Sequence, residues 1–230
     1  MTPMTSYEVL GRTVTMPVEV RDASAATVIW DVDHAAAAAL APPGFSVTEP
    51  APGRAQVALA LVDYRDNDLG AYREVGTILF VRPSAGGEDG TFITHLPVDQ
   101  EFTCAAGQQI WGYPKSLEQI DVTPTDTSSR WVLTMGDELV LDITVPRGGD
   151  DEMPRLPMTS YTLIDGRPHA TAFSQGGAGC SMHVGGSGVS LTLGTHPIAK
   201  ELASLGLPAA PVLAMWTERM QATFHEPRAL

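Results

Sequence analysis

Apolar residues alternate at a period of two along much of this chain, and that pattern commits it to strands. From Ala55 to Tyr64, Val57, Leu59 and Leu61 fall on one face, the mark of a half-buried strand. The same reading covers residues 7 to 20, Ala25 to Val32, Ala71 to Val81 and Thr91 to Val98. Between them stand clusters of turn residues: Asn67-Asp68-Leu69-Gly70, and Ser84 to Gly90 as a hairpin tip. Arg130 to Met135 and Glu138 to Val145 predict a hairpin across Gly136-Asp137. A second hairpin joins Thr159–Ile164 to His169–Phe173 across Asp165-Gly166-Arg167-Pro168.

Helices are few and short in this reading. Asp33 is a fair N-cap for a helix from His34 to Leu40, ended by Pro42-Pro43-Gly44. Thr195 is the candidate cap for a helix from His196 to Leu205, with Gly206 just beyond. Pro146 to Pro157 reads as a loop and as the best place for an internal boundary, and Gly176 to Gly188 as a mobile glycine-rich loop. Val189 to Leu193 is a short strand, and Val212 to Phe224 is open between helix and strand. The sum is a strand-dominated α+β protein.

Composition sets outer limits. A chain of 230 residues can form one large domain or two small ones and bury a substantial core. Hydrophobic residues make up 43% and mean hydropathy is near zero, as in an ordinary soluble globule. The formal net charge of −13 argues against nucleic acid or an anionic membrane as partner. Two cysteines, Cys104 and Cys180, make no disulfide framework. Met1 to Ser6 carries neither basic residues nor an apolar core, so no signal peptide is expected and a cytoplasmic location is.

The chemistry points to one lysine. Of 14 basic residues only Lys115 and Lys200 are lysine. Lys115 sits in Gly107-Gln108-Gln109-Ile110-Trp111-Gly112-Tyr113-Pro114-Lys115. Arginine stays protonated at any working pH, whereas a desolvated lysine can lose its proton and become a nucleophile. An amine beside a carbonyl compound can form a Schiff base, which then accepts electrons. The alternative is ordinary snorkelling, stem buried and head wet. Glu74, mid-strand, shares its face with Tyr72, Gly76, Ile78 and Phe80, which favours a pocket acid over a solvent-facing one.

Competing chemistries find little support. The six histidines are scattered, and neither H-E-x-x-H nor C-x-x-C occurs, so no metal and no cofactor is expected. No G-x-S-x-G elbow is present. The Gly176–Gly188 stretch matches neither dinucleotide nor P-loop patterns. Cys180 and His183 lie three apart with no third orienting residue, and Cys180 reads as a packing residue.

The Gly-x-x-x-x-Gly-Tyr-Pro-Lys block, preceded by Tyr72-Arg73-Glu74-Val75-Gly76, resembles the acetoacetate decarboxylase superfamily. The resemblance runs from Val28–Phe45, through Arg155-Leu156-Pro157 to Asp165–Pro168, to Val189–Pro227, nearly the whole chain. It implies a single domain over 1–230, a β-barrel or cone with a few short helices, and strand for Val212 to Phe224. It also implies a homo-oligomer and a cofactor-independent carbon–carbon lyase, first of all a decarboxylase of a small β-keto acid. Lys115 falls on the Schiff-base lysine and Glu74 on the pocket acid. Gln108, Trp111 and Tyr113 are implied around the substrate, with Trp111, Tyr113 and Phe80 forming an apolar pocket that keeps the amine neutral.

The chain departs from the family's decarboxylases at several positions. Ser116 replaces a second lysine, Gln108 and Gln109 replace a Gly-Arg-Glu run, and Leu59 stands where a second pocket glutamate is expected. Arg21 is the nearest candidate for the arginine that binds substrate carboxylate. Two alternatives therefore stay open: aldol, dehydration or cyclisation chemistry on the same lysine, or a non-catalytic ligand-binding protein.

Overall fold

The computed structural model describes residues 5–230. The strand reading holds. A small hairpin, β1 (Ser6–Val9) and β2 (Arg12–Thr15), precedes the long strand β3 (Val18–Asp33). Then come helix α1 (His34–Ala38), edge strand β4 (Phe45–Val47) and strands β5 (Arg54–Asn67), β6 (Tyr72–Pro83) and β7 (Gly90–Val98). Helix α2 (Glu101–Ala106) runs into a π-helical turn, Gly107–Trp111, and short strand β8 (Lys115–Leu117). Strands β9 (Gln119–Pro124), β10 (Ser128–Met135), β11 (Glu138–Pro146), β12 (Asp151–Ile164), β13 (Arg167–Val184) and β14 (Ser190–Leu193) follow. Helix α3 (Pro197–Ser204) and β15 (Leu213–Ala229) complete the order.

Seven strands close on themselves in the order β6-β5-β3-β15-β13-β12-β7, with β7 pairing back to β6. Closure removes the exposed edges of the sheet. Every pairing in that ring is antiparallel except β12–β7, and β8 adds to β7 in parallel. A separate four-stranded sheet, β14-β11-β10-β9, packs on the outside.

Two apolar cores result. One lies between barrel wall, outer sheet and α3, with Trp30, Leu61, Leu79, Trp131, Ile143 and Leu202 in it. The other gathers Val20, Tyr64, Tyr72, Leu96, Trp111 and Tyr113 around the lysine. Alternation feeds both cores: on β5, Leu59 and Leu61 enter the first core, while Ala58, Ala60, Val62 and Tyr64 face the barrel interior.

Several boundaries differ from expectation. Residues 18–33 form one strand, its breaks being bulges between Val20 and Ala23 rather than a gap. Only 147–150 of the expected loop 146–157 is loop, and the rest opens β12. Gly176–Gly188 is largely strand, since β13 runs to Val184. A Cβ on Gly177 would stand 2.4 Å from the Arg219 carbonyl oxygen on β15, and one on Gly176 would stand 2.7 Å from backbone atoms of β12. Those glycines mark close approach of neighbouring backbones, not mobility. His196, not Thr195, caps α3, its ring accepting from the Ile198 amide. Asp33 caps α1 as expected, accepting from Ala36 N at 2.9 Å. The expected absence of a leader rests on Met1 to Ser6, of which residues 1–4 lie outside the described residues. Among the described residues no helix is long and apolar enough to cross a membrane.

The outer sheet is held to the barrel chiefly by wholly buried side chains such as Trp131. Trp131→Ala is expected to lower the unfolding free energy by about 3–5 kcal/mol, read by chemical denaturation. A loss below about 1 kcal/mol would show that this interface contributes little.

Candidate active site

Barrel closure brings the lysine and the glutamate together. Glu74 lies on β6 opposite Val98 of β7, and Lys115 on β8 lies opposite Leu96 of β7. The two residues therefore flank one strand, and their side chains meet across it. Lys115 Nζ is 2.9 Å from Glu74 Oε2, with the two side chains only 4% and 12% exposed.

The backbone around Lys115 is built by its glycines. Gln100 caps α2 through the Thr103 amide. The helix then widens into the π turn, which places Gly107 against the lysine stem. A Cβ at 107 would stand 2.5 Å from Lys115 Cδ and 2.7 Å from Cε, so any larger residue would have to push the lysine stem aside. Gly112 ends the turn in the left-handed region at φ 69°, which favours glycine. Beyond Pro114 the lysine amide donates to the Tyr113 carbonyl at 2.8 Å.

Polar groups surround the amine. Lys115 Nζ donates to Thr103 Oγ1 at 3.0 Å and lies 4.8 Å from the centre of the Tyr72 ring. Tyr64 stacks on Tyr72, and its hydroxyl donates to the other Glu74 oxygen at 3.4 Å. Burial by itself lowers the Lys115 pKa, but the Glu74 carboxylate and the nearby Tyr72 raise it more, so the net direction is upward. This corrects the expectation of a neutral amine: Lys115 is held as an ammonium paired with Glu74. Burial pushes the Tyr113 phenol up to about 12. The hydroxyls of Ser160 and Thr171 oppose that rise, although neither reaches hydrogen-bond geometry with any partner.

Above the pair opens a cavity of about 180 Å³. Lys115, Glu74, Tyr64, Tyr72, Trp111 and Tyr113 line its deep end. Ile78, Phe80, Ile93, Met158, Phe173 and Phe224 form its half-exposed walls and mouth. Of the residues expected at the site, Lys115, Glu74, Trp111 and Tyr113 are thus brought together. The Trp111 indole is fixed by donating to the His225 carbonyl at 2.9 Å.

Gln108 does not line the cavity. Its amide donates to the Lys115 carbonyl at 2.7 Å, so it holds the lysine's backbone. Arg21 is not at the site either. Its side chain is 49% exposed and bonded to Asp66 and Asp68, and it borders a separate surface depression with Arg155 and Arg219. The reason is strand alternation: Val18 and Val20 take the inward positions of β3. Leu59 likewise points away from the cavity, and Ala58 and Ala60 hold the inward places on β5.

Thr103, Tyr64 and Ser160 were not anticipated. Tyr64 was within reach, because the Asn67–Gly70 turn pairs it with Tyr72 in register. Thr103 lies in a helix too short to show a period. Among the described residues no group of three or more His, Cys, Asp or Glu is placed to hold a metal ion.

A closed barrel with a buried amine at the base of an apolar cavity defines a class of lysine-bearing pocket proteins. The sequence model for acetoacetate decarboxylase (ADC) matches residues 1–227, and the chain belongs to that family. No curated protein matches the chain in sequence. Solved structures share the fold at low identity. Acetoacetate decarboxylase from Legionella pneumophila subsp. pneumophila str. Philadelphia 1 superposes with a TM-score of 0.70 at 18% identity, covering 93% of this chain and 87% of that one. The enduracididine biosynthesis enzyme MppR complexed with pyruvate gives 0.63 at 16% identity, covering 93% and 90%. An acetoacetate decarboxylase-like enzyme from Sphingomonas wittichii RW1 gives 0.62 at 15%, covering 96% of each.

Two predictions follow from the pair and its mount. Because the folded Lys115 pKa lies above its ordinary value of 10.5, the pairing stabilises the fold fully below that value. It loses that contribution as the pH rises through the folded pKa. Glu74→Gln removes the anion and leaves burial dominant. The pH midpoint for acylation of Lys115, mapped by mass spectrometry, should then fall by at least about one unit. An unchanged midpoint would mean that Glu74 does not hold the proton. Gly107→Ala should displace the lysine stem, cutting the rate of Lys115 modification at least about tenfold while circular dichroism keeps the strand signal. A wild-type rate would show that the stem has other room.

Proposed function

We propose that this protein is a cofactor-independent carbon–carbon lyase that works through a Schiff base on Lys115. The observation that carries the reading is the amine, buried at the base of an apolar cavity with a carboxylate 2.9 Å away. The resting ammonium is no obstacle to this chemistry, because its proton has an acceptor within hydrogen-bond reach. Transfer from Lys115 Nζ to Glu74 Oε2 gives a neutral amine beside a neutral acid.

The amine then adds to the substrate carbonyl. Glu74 returns its proton to the carbinolamine oxygen, water leaves, and an iminium stands beside the carboxylate. In a β-keto acid, the electrons of the carboxylate-bearing bond pass into the iminium. Carbon dioxide departs, the enamine carbon is protonated, and water hydrolyses the new iminium. Tyr64 and Thr103 hold Glu74 and the amine in line during these transfers.

A second reaction on the same intermediate is favoured by one observation. Among the described residues no arginine lines the cavity, so a free carboxylate has no clamp there, and aldol, dehydration or cyclisation chemistry needs none. MppR, whose fold this chain shares, has been solved with the condensation product of pyruvate and imidazole 4-carboxaldehyde. A cytoplasmic location and assembly as a homo-oligomer belong to the same proposal.

Lys115→Arg keeps a charge but removes the nucleophile. Turnover should fall at least about 10³-fold with the fold intact. Lys115→Gln serves as the second variant should arginine prove too large beside Gly107. A folded variant of either kind with near-native turnover would overturn the mechanism. Borohydride reduction in the presence of a ketone should leave a ligand-sized mass on Lys115 and none on Lys200. A protein that binds ketones without such a mass would be a binding protein on this scaffold.

A further inference from the structure

From the charge balance of the cavity we infer that its substrate is an uncharged carbonyl compound with an apolar body, not a keto acid. This inference rests on the Schiff-base reading of Lys115 and, of the two reactions proposed on that intermediate, selects the one that needs no substrate carboxylate over decarboxylation. Among the described residues that line the cavity, the only formal charges are Lys115 and Glu74. They cancel in the resting pair. They cancel again in the iminium–carboxylate state, and once more when an enamine faces protonated Glu74. A neutral substrate keeps the buried site at net zero through every step. A substrate carboxylate would add one negative charge, buried near Glu74 and without a cation of its own. Burying an unpaired charge is among the most costly arrangements in a protein.

Arg21 and Arg73, which stand beside lining residues in sequence, do not relieve that cost. Arg21 is committed to Asp66 and Asp68 on the outer surface, and Arg73 is shared between Asp63 and Asp99. The protein's net charge of −13 also repels an incoming anion.

Shape and lining agree with a neutral, largely apolar guest. A dry apolar cavity of about 150 Å³ holds benzene, so about 180 Å³ suits a body of that size carrying a carbonyl arm. The walls offer Ile78, Phe80, Ile93, Phe173 and Phe224, with Phe173 and Phe224 stacked 5.2 Å apart. One lining group asks for a polar partner. Ser160 is 2% exposed, and its hydroxyl, beside the Tyr113 phenol, completes no hydrogen bond of good geometry. A hydroxyl or second carbonyl on the substrate would satisfy it without adding charge.

A β-hydroxy ketone meets all of these terms, and its cleavage balances within the site. Lys115 Nζ adds to the ketone carbon and water leaves, giving the iminium. Glu74 takes the hydroxyl proton, the oxygen's electrons form a new C=O, and the Cα–Cβ bond breaks. Its electron pair moves into the iminium, making an enamine, and a neutral aldehyde departs. The enamine carbon takes the proton back from Glu74, and water hydrolyses the iminium to release a ketone and the free amine. Run in reverse, the same steps condense the two carbonyl compounds.

The test uses the wild-type protein and matched pairs of probes. Acetoacetate and methyl acetoacetate differ in charge at nearly the same size, and 4-phenylbutan-2-one adds an apolar body. Each is incubated at equal concentration, reduced with borohydride, and the rate of mass gain on Lys115 is measured. The neutral ester and the phenyl ketone should trap at least tenfold faster than acetoacetate, and Ser160→Ala should slow the ester more than the phenyl ketone. Acetoacetate trapping as fast as its ester would overturn the neutral-substrate inference and leave the Schiff-base reading standing. No adduct with any of the three would overturn the amine chemistry itself and this inference with it.

Discussion

The ion pair between Lys115 and Glu74 is the interaction on which the rest depends. Neither residue is stable in the barrel alone. An ammonium or a carboxylate left unpaired at that depth would shed or gain a proton, or distort the fold. The pair exists because β7 is shared: β6 brings Glu74 to one side of it and β8 brings Lys115 to the other. Closing the barrel and building the site are thus one event. The tyrosines, Thr103 and Gly107 then serve the pair, by accepting from it, donating to it, stacking beside it or leaving room for the lysine stem.

The pair also changes how the lysine acts. Apolar surroundings on their own would favour a neutral amine, and Trp111 and Tyr113 do line the cavity. Yet the direction of the Lys115 pKa is upward, because at 2.9 Å a carboxylate outweighs desolvation. Activation therefore does not consist of a lysine that has already lost its proton. In the mechanism proposed above, it consists of a proton with a short path to leave by and a carboxylate to keep it until the carbinolamine needs it. In that mechanism the same carboxylate later balances the iminium, so one residue meets both needs.

Much of this was legible in the sequence, and the reasons differ by element. Hairpins such as 130–145 and the capped helix after Asp33 declare themselves locally, through alternation, a Gly-Asp turn and a cap. Glu74 was readable because alternation alone sets its face. The glycine-rich segment was not, since Gly176 and Gly177 fit a mobile loop and a tight strand crossing equally well. Only the positions of β12 and β15 decide between them. Helix α2 and the π turn leave no periodic trace because each is shorter than two turns. Arg21 and Leu59 were not placed correctly for a physical reason: a shift of one residue in a strand turns a side chain from the cavity to the opposite face.

The division of labour between the basic residues follows from the same physics. This chain has twelve arginines and two lysines. Arg21, Arg65, Arg82 and Arg130 are spent on the surface, each paired with an aspartate. A guanidinium that never loses its proton suits those places and would be a permanent, unreactive charge in the cavity. Under the proposed mechanism the cavity takes a lysine because its charge can be moved to a neighbour. A group chosen for that property needs a partner that can hold the proton, and Glu74 is that partner. A fixed arginine beside them would stabilise Glu74 as carboxylate and hold back the transfer that frees the amine. The absence of arginine from the lining and the presence of the pair are therefore two sides of one requirement: a site whose charge can be created and cancelled in place.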